Sequence, residues 1–176
     1  MKSVVAFLKK VLLVIELTLY VAYVHWEKVL FVGIIALDQY SKMRIVSSMQ
    51  LGESIPIVPN LLHFTYVLNP GAAFGIFPNQ RVFFLIVGLA MLICFAIFYT
   101  RVKETDNRLN FGVICMASGS TANLIDRAQT GKVVDFLDVG DWWPIFNFAD
   151  MAIVFGMIIV VYMIIFKIEP AKEKRK

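Results

Sequence analysis

The feature that most constrains this chain is an uninterrupted apolar segment, VFFLIVGLAMLICFAIFYT at residues 82–100, which contains no charged side chain. A helix needs about 20 predominantly apolar residues to cross the hydrocarbon core of a bilayer. Of the 176 residues in the whole chain, 59% are hydrophobic and 17% are charged. A soluble domain of this length cannot enclose that much apolar surface, so the sequence predicts an integral membrane protein.

Three further segments have helical length and a largely apolar composition: residues 28–46, 109–125 and 146–166. Segment 109–125 is rich in Gly, Ala, Ser and Thr, which let helix backbones approach closely. We therefore expect this helix at the centre of a bundle. The predicted fold class is an α-helical integral membrane protein with four transmembrane helices.

The distribution of Lys and Arg predicts the orientation of the bundle. The loop 101–108 and the tail 167–176 both carry basic side chains. Because short cytoplasmic segments are enriched in Lys and Arg, both termini are expected in the cytoplasm. The connections 47–81 and 127–145 then lie on the outer side of the membrane.

The sequence also predicts how the chain divides along its length. Residues 1–27 form an apolar and basic N-terminal extension, 28–166 the membrane domain, and 167–176 a basic cytoplasmic tail. Three charged side chains interrupt the apolar stretch 4–24, which leaves three alternatives open: an interfacial helix, a fifth span, or an extension of the first helix. A fifth span would move the N-terminus to the outer side.

The first outer connection is not typical of a flexible linker. The stretch LHFTYVL at 62–68 is rich in aromatic and β-branched residues, and NPGAAFG at 69–75 is typical of a turn. This connection is therefore expected to form a small β-sheet or extended platform, an extracytoplasmic cradle, on the outer membrane surface.

Several functional classes are not indicated. Cys94 and Cys115 lie within apolar segments and are expected to be buried hydrophobic residues, while His25 and His63 are expected at interfaces or in loops. These residues lack the spacing of metal ligands, so no metal site, cofactor or disulfide is predicted. The basic residues form no stripe interleaved with aromatic residues, so no nucleic-acid partner is predicted.

A group of charged residues is predicted to converge at the outer side of the membrane. An unpaired charge in lipid costs several kcal/mol, so ionisable residues in or beside membrane helices are candidates for function. Their convergence at one depth follows from the predicted topology. They are Asp38 and Lys42 at the end of the first helix, Asn123, Asp126 and Arg127 at the end of the third, Asp135 in the outer loop, and Asp150 in the first turns of the fourth.

Structural interpretations compete with functional ones for most of these residues. Asp38 and Lys42 are four positions apart and can form an ion pair on one helix face. Arg127 can extend its side chain to lipid headgroups, and Asn147 can cap the fourth helix. Asp138 and Asp141 are expected in a solvated loop. Asp135 and Asp150 are harder to explain structurally because apolar residues surround them in the sequence.

Two carboxyl groups close together in a low-dielectric site cannot both ionise cheaply, so they share a proton. One then acts as a base toward water while the other acts as an acid, and such a pair can hydrolyse an amide without a metal or a nucleophilic Ser or Cys. The residues alone thus favour an intramembrane aspartyl hydrolase. The alternatives are a proton-coupled carrier, which also uses buried acids, and a structural assembly protein.

Five motifs together resemble a known family. DQYSK (38–42), NPGAAFG (69–75), NLIDR (123–127), VVDF (133–136) and FNFAD (146–150) occur in the order and approximate spacing of bacterial lipoprotein signal peptidase, or signal peptidase II. The resemblance covers residues 28–166. One departure is Ala122, where the family commonly has Gly before the Asn of NLIDR. The segment before residue 28 is also longer than expected.

The resemblance implies a four-helix aspartic endopeptidase of the bacterial inner membrane that cleaves the signal peptide of prolipoproteins just before a diacylglyceryl-modified cysteine. It implies that Asp135 and Asp150 are the catalytic pair. The supporting roles it implies are substrate binding by Asn123 and Arg127, bracing of the site by Asp126, shaping of the fourth helix start by Asn147 and Ala149, steadying of the first helix by Asp38 and Lys42, and anchoring of the cradle by Asn69 and Gly71.

The same resemblance implies the partners and the location of the active site. The expected partners are diacylglyceryl-modified prolipoproteins, membrane lipid and the inhibitor globomycin, which would occupy the aspartate pair. The protein is expected to act as a monomer without a cofactor. Its active site would lie near the outer face of a multi-pass protein.

Overall fold

The structure is a computed structural model that describes residues 7, 10–16, 24–72, 76–103 and 106–166. Residues 10–16 of this part are helical. The longer elements, in chain order, are α1 (Trp26–Ser48), β1 (Ser54–Val58), β2 (Leu62–Asn69), α2 (Arg81–Val102), α3 (Asn107–Thr130), β3 (Val133–Asp138) and α4 (Phe148–Phe166). Each of the four segments predicted to span the membrane corresponds to one of these helices.

Helix α3 is the centre of the helical part, as the sequence predicts. It packs against α1, α2 and α4, and small side chains make the closest of these contacts possible. Gly112 lies against the backbone of Gly156, and Gly119 lies against the backbone of Ala149. The absence of a Cβ at these positions brings α3 and α4 together directly below the start of α4.

The outward surface of the helices is apolar, while the interior carries polar groups. Val82, Ile86 and Phe166 are all more than 60% exposed, whereas Asp38 and Ser118 are fully buried. This is the reverse of a soluble bundle and fits a lipid environment. Within the described residues, α2 and α4 are long and apolar enough to cross a membrane by length and composition.

The other two helices carry their polar residues inward. In α1 the buried residues include Asp38 and Lys42, and in α3 they include Asn110, Asn123 and Asp126. These residues lower the mean hydropathy of α1 and α3. Both helices nevertheless have 23 or more residues, and at 1.5 Å per residue each is about 35 Å long, which exceeds the hydrocarbon core.

Strands β1, β2 and β3 form an antiparallel sheet in that order. Strands β1 and β2 confirm the small sheet predicted for the first outer connection. The prediction of a loop over 127–145 is wrong, because α3 continues to Thr130 and residues 133–138 form β3. Gly131 adopts a positive φ of 79° and ends α3 so that the chain can turn into β3.

The alternation typical of a surface strand is missing from β3, which explains why the sequence did not reveal it. Val133, Asp135, Phe136 and Leu137 are all buried, so both faces of the strand are covered. Phe136 and Leu137 pack into a cluster with Ile45, Met49 and Tyr66 beneath the sheet. Residue Asp138, expected in a solvated loop, is instead the last residue of β3 and accepts a hydrogen bond from the Thr65 hydroxyl at 2.7 Å.

The connection from β3 to α4 folds back onto the sheet. After a short 3₁₀ helix at Gly140–Trp142, Phe146 pairs with β3: its carbonyl accepts from Phe136 N at 2.9 Å, and its N–H donates to Leu137 O at 3.0 Å. This return brings the first turn of α4 beside Asp135. The pairing of Phe146 with β3 therefore explains why Asp135 and Asp150 line the same cavity.

Some predictions concern residues that are exposed or lie outside the described part. Cys115 is buried as expected, but the prediction for Cys94 is wrong because its side chain is exposed on the outer surface of α2. The tail 167–176, most of the extension 1–27, and residues 73–75 of the NPGAAFG turn lie outside the described residues. The alternatives for segment 4–24 therefore stay open.

Candidate active site

Asp135 is held in the middle of β3 by two side-chain amides. Its side chain is only 3% exposed. Asn147 Nδ2 donates to Oδ1 of Asp135 at 2.6 Å, and Asn69 Nδ2 donates to Oδ2 at 3.0 Å. Because Asn69 is the last residue of β2, which pairs with β3, the sheet itself delivers this second donor.

Asp150 is held by the way α4 begins. Asn147 precedes the helix, and its Oδ1 accepts from Asp150 N at 3.0 Å, while Asp150 Oδ2 accepts from Asn147 N at 3.2 Å. These reciprocal bonds form a capping box. The predicted cap at Asn147 is therefore present, and the same contact fixes the direction of the Asp150 side chain. Oδ1 of Asp150 accepts from Asn123 Nδ2 at 2.7 Å.

Asn147 connects the two carboxyl groups. It caps Asp150 through its backbone and Oδ1, and it donates to Asp135 through Nδ2. The same Nδ2 lies 3.2 Å from Asn123 Oδ1. Asn147 is fully buried, so water does not compete for these bonds. Two acids from a strand and a helix are thus held in one hydrogen-bonded unit.

The environment of Asp135 favours its protonated form. Burial, and next to it the charge of Asp150, raises the pKa of Asp135 from 3.8 to about 7. The amide donors of Asn69 and Asn147 act in the opposite direction because they stabilise the carboxylate. An acid with a pKa near neutral pH can give up and take back a proton at physiological pH.

Both carboxyl groups face one cavity of about 220 Å³. Both polar and apolar side chains line it. The residues of this cavity that the sequence singled out are Asn69, Asn123, Arg127, Asp135 and Asp150. The return segment before α4 supplies an apolar wall through Trp143, Pro144, Ile145 and Phe146.

Arg127 joins α3 to the turn after β2. Its Nη2 donates to Gly71 O at 3.0 Å, and its guanidinium carbon lies 4.8 Å from the centre of the Phe84 ring. This stacking supports the cation at a partly desolvated position. Asn69 Oδ1 accepts from Gly71 N at 3.0 Å, so Gly71 is held from both sides. The arginine therefore points into the protein rather than toward headgroups.

The remaining predicted residues form a buried ion network behind the cavity. Lys42 Nζ lies 2.7 Å from Asp38 Oδ2 and 2.8 Å from Asp126 Oδ2, so the i,i+4 pair anticipated in α1 is present and includes a third member from α3. Asp38 Oδ1 accepts from Ala149 N at 2.8 Å. All eleven predicted site residues thus lie in the cavity, beside its lining, or in this network.

Sequence reasoning missed some of the residues that build the site. Gln39 Nε2 donates to Asp126 Oδ1 at 2.7 Å and to Ala122 O at 3.2 Å. It lies inside the DQYSK motif, so its position beside Asp38 was the available signal. Phe84, which stacks on Arg127, lies in an apolar segment in which no single aromatic ring stands out. Phe146, which lines the cavity, likewise begins an apolar segment and gave no separate signal.

The chain is similar in sequence to a known protein family and to several of its members. The sequence model of the family described as signal peptidase (SPase) II matches residues 30–166. A "Lipoprotein signal peptidase" of Desulforapulum autotrophicum is 41% identical over 145 residues, covering 78% of this chain and 90% of the relative. One of Desulfitobacterium hafniense is 42% identical over 149 residues, covering 82% of this chain and 95% of the relative.

The fold has a counterpart among solved structures. A structure described as "Bacterial membrane enzyme structure by the in meso method at 2.3 Å resolution" superposes with a TM-score of 0.77 and 31% sequence identity. The match covers 85% of this chain and 93% of the other. The shared fold therefore extends over nearly the whole length of that structure.

Proposed function

The chain belongs to the signal peptidase II family, and from that premise we propose that it is an aspartic endopeptidase that removes signal peptides from prolipoproteins. The observation that carries the proposal is the pairing of Asp135 and Asp150, which line one cavity and are both bonded to Asn147. The scissile bond would lie just before a diacylglyceryl-modified cysteine.

The proposed reaction uses water as the nucleophile. One carboxylate of the pair removes a proton from a water molecule, whose oxygen attacks the carbonyl carbon of the scissile amide. The other carboxyl group, which is protonated, donates its proton to the carbonyl oxygen. When the tetrahedral intermediate collapses, the C–N bond breaks and the amine leaves with the proton that the first carboxylate took from water. One hydroxyl of the intermediate returns its proton to the second carboxylate, which restores the pair.

The polar residues around the pair have separate roles in this proposal. Asn123 and Arg127 line the cavity with amide and guanidinium donors, which suit the carbonyl groups of an extended substrate. Asn69 and Gly71 fix the turn that forms the edge of the cradle. The aspartate pair titrates as a coupled unit, because the charge of one acid raises the pKa of the other, as it does for Asp135.

The proposed location follows from the substrate as well as from the helices. A lipid-modified cysteine keeps its acyl chains in the bilayer, so the enzyme that cleaves beside it must act at the membrane surface. We place α1 to α4 across the bacterial inner membrane, with both termini in the cytoplasm and the cavity near the outer face. Globomycin would bind in the cavity and contact the aspartate pair.

The test is cleavage of a diacylglyceryl-modified prolipoprotein peptide by the purified protein, compared with Asp135→Asn and Asp150→Asn. Each amide retains the shape of the acid but cannot act as base or acid, so kcat should fall by about 100-fold to 10,000-fold. Mass spectrometry of the products should place the cut before the lipidated cysteine. Asp141→Asn, in the exposed 3₁₀ helix, is the matched control and should cleave normally.

Two outcomes would contradict the proposal. Retained cleavage in either variant would remove that residue from the catalytic pair. Absence of cleavage by folded wild-type protein would remove the peptidase assignment, and proton-coupled uptake would then be measured in proteoliposomes.

A further inference from the structure

The ammonium group of Lys42 uses all three of its donors on buried oxygens behind the cavity. The distances are 2.7 Å to Asp38 Oδ2, 2.8 Å to Asp126 Oδ2 and 3.0 Å to Asn123 Oδ1. A lysine has three N–H donors and no acceptor, so its hydrogen-bonding capacity is filled. Lys42 is only 3% exposed, which excludes water from the group. It is therefore a rigid connection between α1 and α3.

Lys42 determines which way the side-chain amide of Asn123 points. Oδ1 of Asn123 accepts from Lys42 and from Asn147 Nδ2, which leaves Nδ2 to donate to Asp150. If the amide were rotated by half a turn, its NH₂ would face the ammonium group and its oxygen would face the Asp150 carboxyl group. A cation that cannot accept a hydrogen bond makes that orientation unfavourable.

The two acids bound to Lys42 also hold the backbone next to the catalytic pair. Asp38 Oδ1 accepts from the N–H of Ala149, the residue before Asp150, at 2.8 Å. Asp126 Oδ2 accepts from the N–H of Val134, the residue before Asp135, at 3.3 Å. One ammonium group thus lies between two carboxylates, each of which restrains the segment that carries one member of the pair.

We propose that Lys42 is a positioning residue for the reaction. It sets the orientation of the Asn123 amide, and through Asp38 and Asp126 it holds the backbone segments that carry Asp150 and Asp135 in position. This inference rests on the proposed function, and it goes beyond a role in steadying α1. It assigns Lys42 an effect on kcat and on the protonation of the pair. A purely structural ion pair would affect only the amount of folded protein.

Lys42 also has an electrostatic effect that can be measured. Its charge lowers the pKa of Asp135, although burial and the neighbouring acid raise that pKa more strongly. Of the described residues, the charged groups around Asp135 are Lys42 and Asp38 from α1, Asp126 and Arg127 from α3, and Asp150 from α4. Removing the Lys42 cation leaves Arg127 as the cation of this group beside three other acids, so the pKa of Asp135 should rise further.

Two substitutions separate charge from geometry. Lys42→Met removes the cation but keeps an unbranched side chain only one atom shorter, so kcat should fall about 100-fold and the pH profile of kcat should move to higher pH. Lys42→Arg keeps the charge, but a planar guanidinium cannot direct three donors from one atom. Its kcat should fall with the pH profile unmoved, and KM should change little in both variants.

Arg108→Met is the matched control, because it removes the cation of an exposed ion pair with Asp106 at the other end of α3. It should leave kcat and the pH profile unchanged. If Lys42→Met does not accumulate as folded protein, kcat of Lys42→Arg is measured instead, because this variant retains the charge in the buried network. Wild-type kcat in either folded Lys42 variant would overturn the proposal.

A substrate-independent measurement distinguishes this inference from the proposed function. Carboxyl-¹³C NMR titration of aspartate-labelled protein reports the protonation of Asp135, with Asp135→Asn used to assign the signal. In Lys42→Met the midpoint should lie at higher pH than in the wild type, whether or not the protein cleaves a prolipoprotein. An unchanged midpoint would contradict the inference, whereas an inactive wild type with a shifted midpoint would contradict only the peptidase assignment.

Discussion

At the residue scale, burial of Asp135, a member of the proposed catalytic pair, has a cost in protein stability. Burial raises its pKa to about 7, so an acid that is ionised in the unfolded chain at neutral pH is partly protonated in the folded protein. Between pH 3.8 and about 7 the folded protein therefore binds more protons than the unfolded chain. The free energy of unfolding should fall as the pH rises through this window.

Replacing this acid should stabilise the protein while abolishing its activity. At 1.36 kcal/mol per pKa unit, the rise from 3.8 to about 7 corresponds to a cost of at most about 4 kcal/mol at pH 8. Asn removes the charge but also loses one hydrogen-bond acceptor, which costs about 2 kcal/mol at either pH, so Asp135→Asn should gain about 2 kcal/mol at pH 8 and lose about 1–2 kcal/mol near pH 4. Chemical denaturation in detergent at both pH values would measure this.

Asp138, in the same strand, is the matched control. The hydrogen bond from Thr65 lowers its pKa, so its contribution to stability is present at neutral pH and lost as the pH falls. Asp138→Asn should therefore destabilise the protein at pH 8. If both variants changed stability in the same direction, the pKa displacement at Asp135 would not be the cause.

At the scale of elements, the contact between α3 and α4 determines where Asp150 lies. Gly119 lies against the carbonyl of Ala149, one residue before Asp150, and Ile153 packs beside it. A Cβ on residue 119 would overlap that carbonyl, and a backbone group cannot move aside as the end of a flexible side chain can. Close packing of the α3 and α4 backbones thus helps to determine the geometry of the candidate active site.

Gly119→Ala should displace the start of α4 and lower both stability and activity. Overpacking of this kind costs about 1–3 kcal/mol, and a small displacement of Asp150 should reduce kcat by at least about 10-fold. Gly33→Ala in α1 is the control, since a Cβ there meets nothing within 4 Å. It should leave kcat unchanged. Equal behaviour of the two variants in thermal unfolding and cleavage assays would exclude this account.

At the scale of the whole molecule, the arrangement of polar and apolar surface specifies how the protein lies in the membrane. The side chains of α2 and α4 that face outward are largely apolar, and the exposed charged residues of α2, Arg81 and Arg101, lie near its two ends. The sheet, the cavity and the ion network lie together at one end of the bundle, while the turn after α2 and the start of α3 lie at the other. The proposed orientation places the first of these ends outside the cell.

Cysteine labelling tests this orientation in intact cells. In a background with Cys94→Ala and Cys115→Ala, Leu61→Cys in the exposed turn between β1 and β2 should react with a membrane-impermeant maleimide. Lys103→Cys, in the exposed turn after α2, should react only after the cells are permeabilised. The reverse pattern would invert the proposed topology.

Much of this architecture could be predicted from local patterns. The segments 28–46, 82–100, 109–125 and 146–166 each correspond to a helix, because apolar composition over 17 or more residues is a local property. Strand β3 was missed for a physical reason: it is covered on both faces, so it lacks the alternation that marks a surface strand. The exposure of Cys94 was missed because composition alone does not show which face of a membrane helix meets lipid.

The amino-acid sequence by itself determined where the four long helices lie along the chain and their largely apolar composition, the order of the five motifs, and which acids were candidates for catalysis. Only the tertiary structure decided that Lys42 bonds to Asn123, 81 residues away, and that Asp38 holds Ala149, 111 residues away. Helical and strand periodicities report on neighbours within a few positions. Contacts between distant segments depend on how whole elements pack, and here the packing of α1, α3 and α4 brings the acids and amides of four separate segments to one cavity.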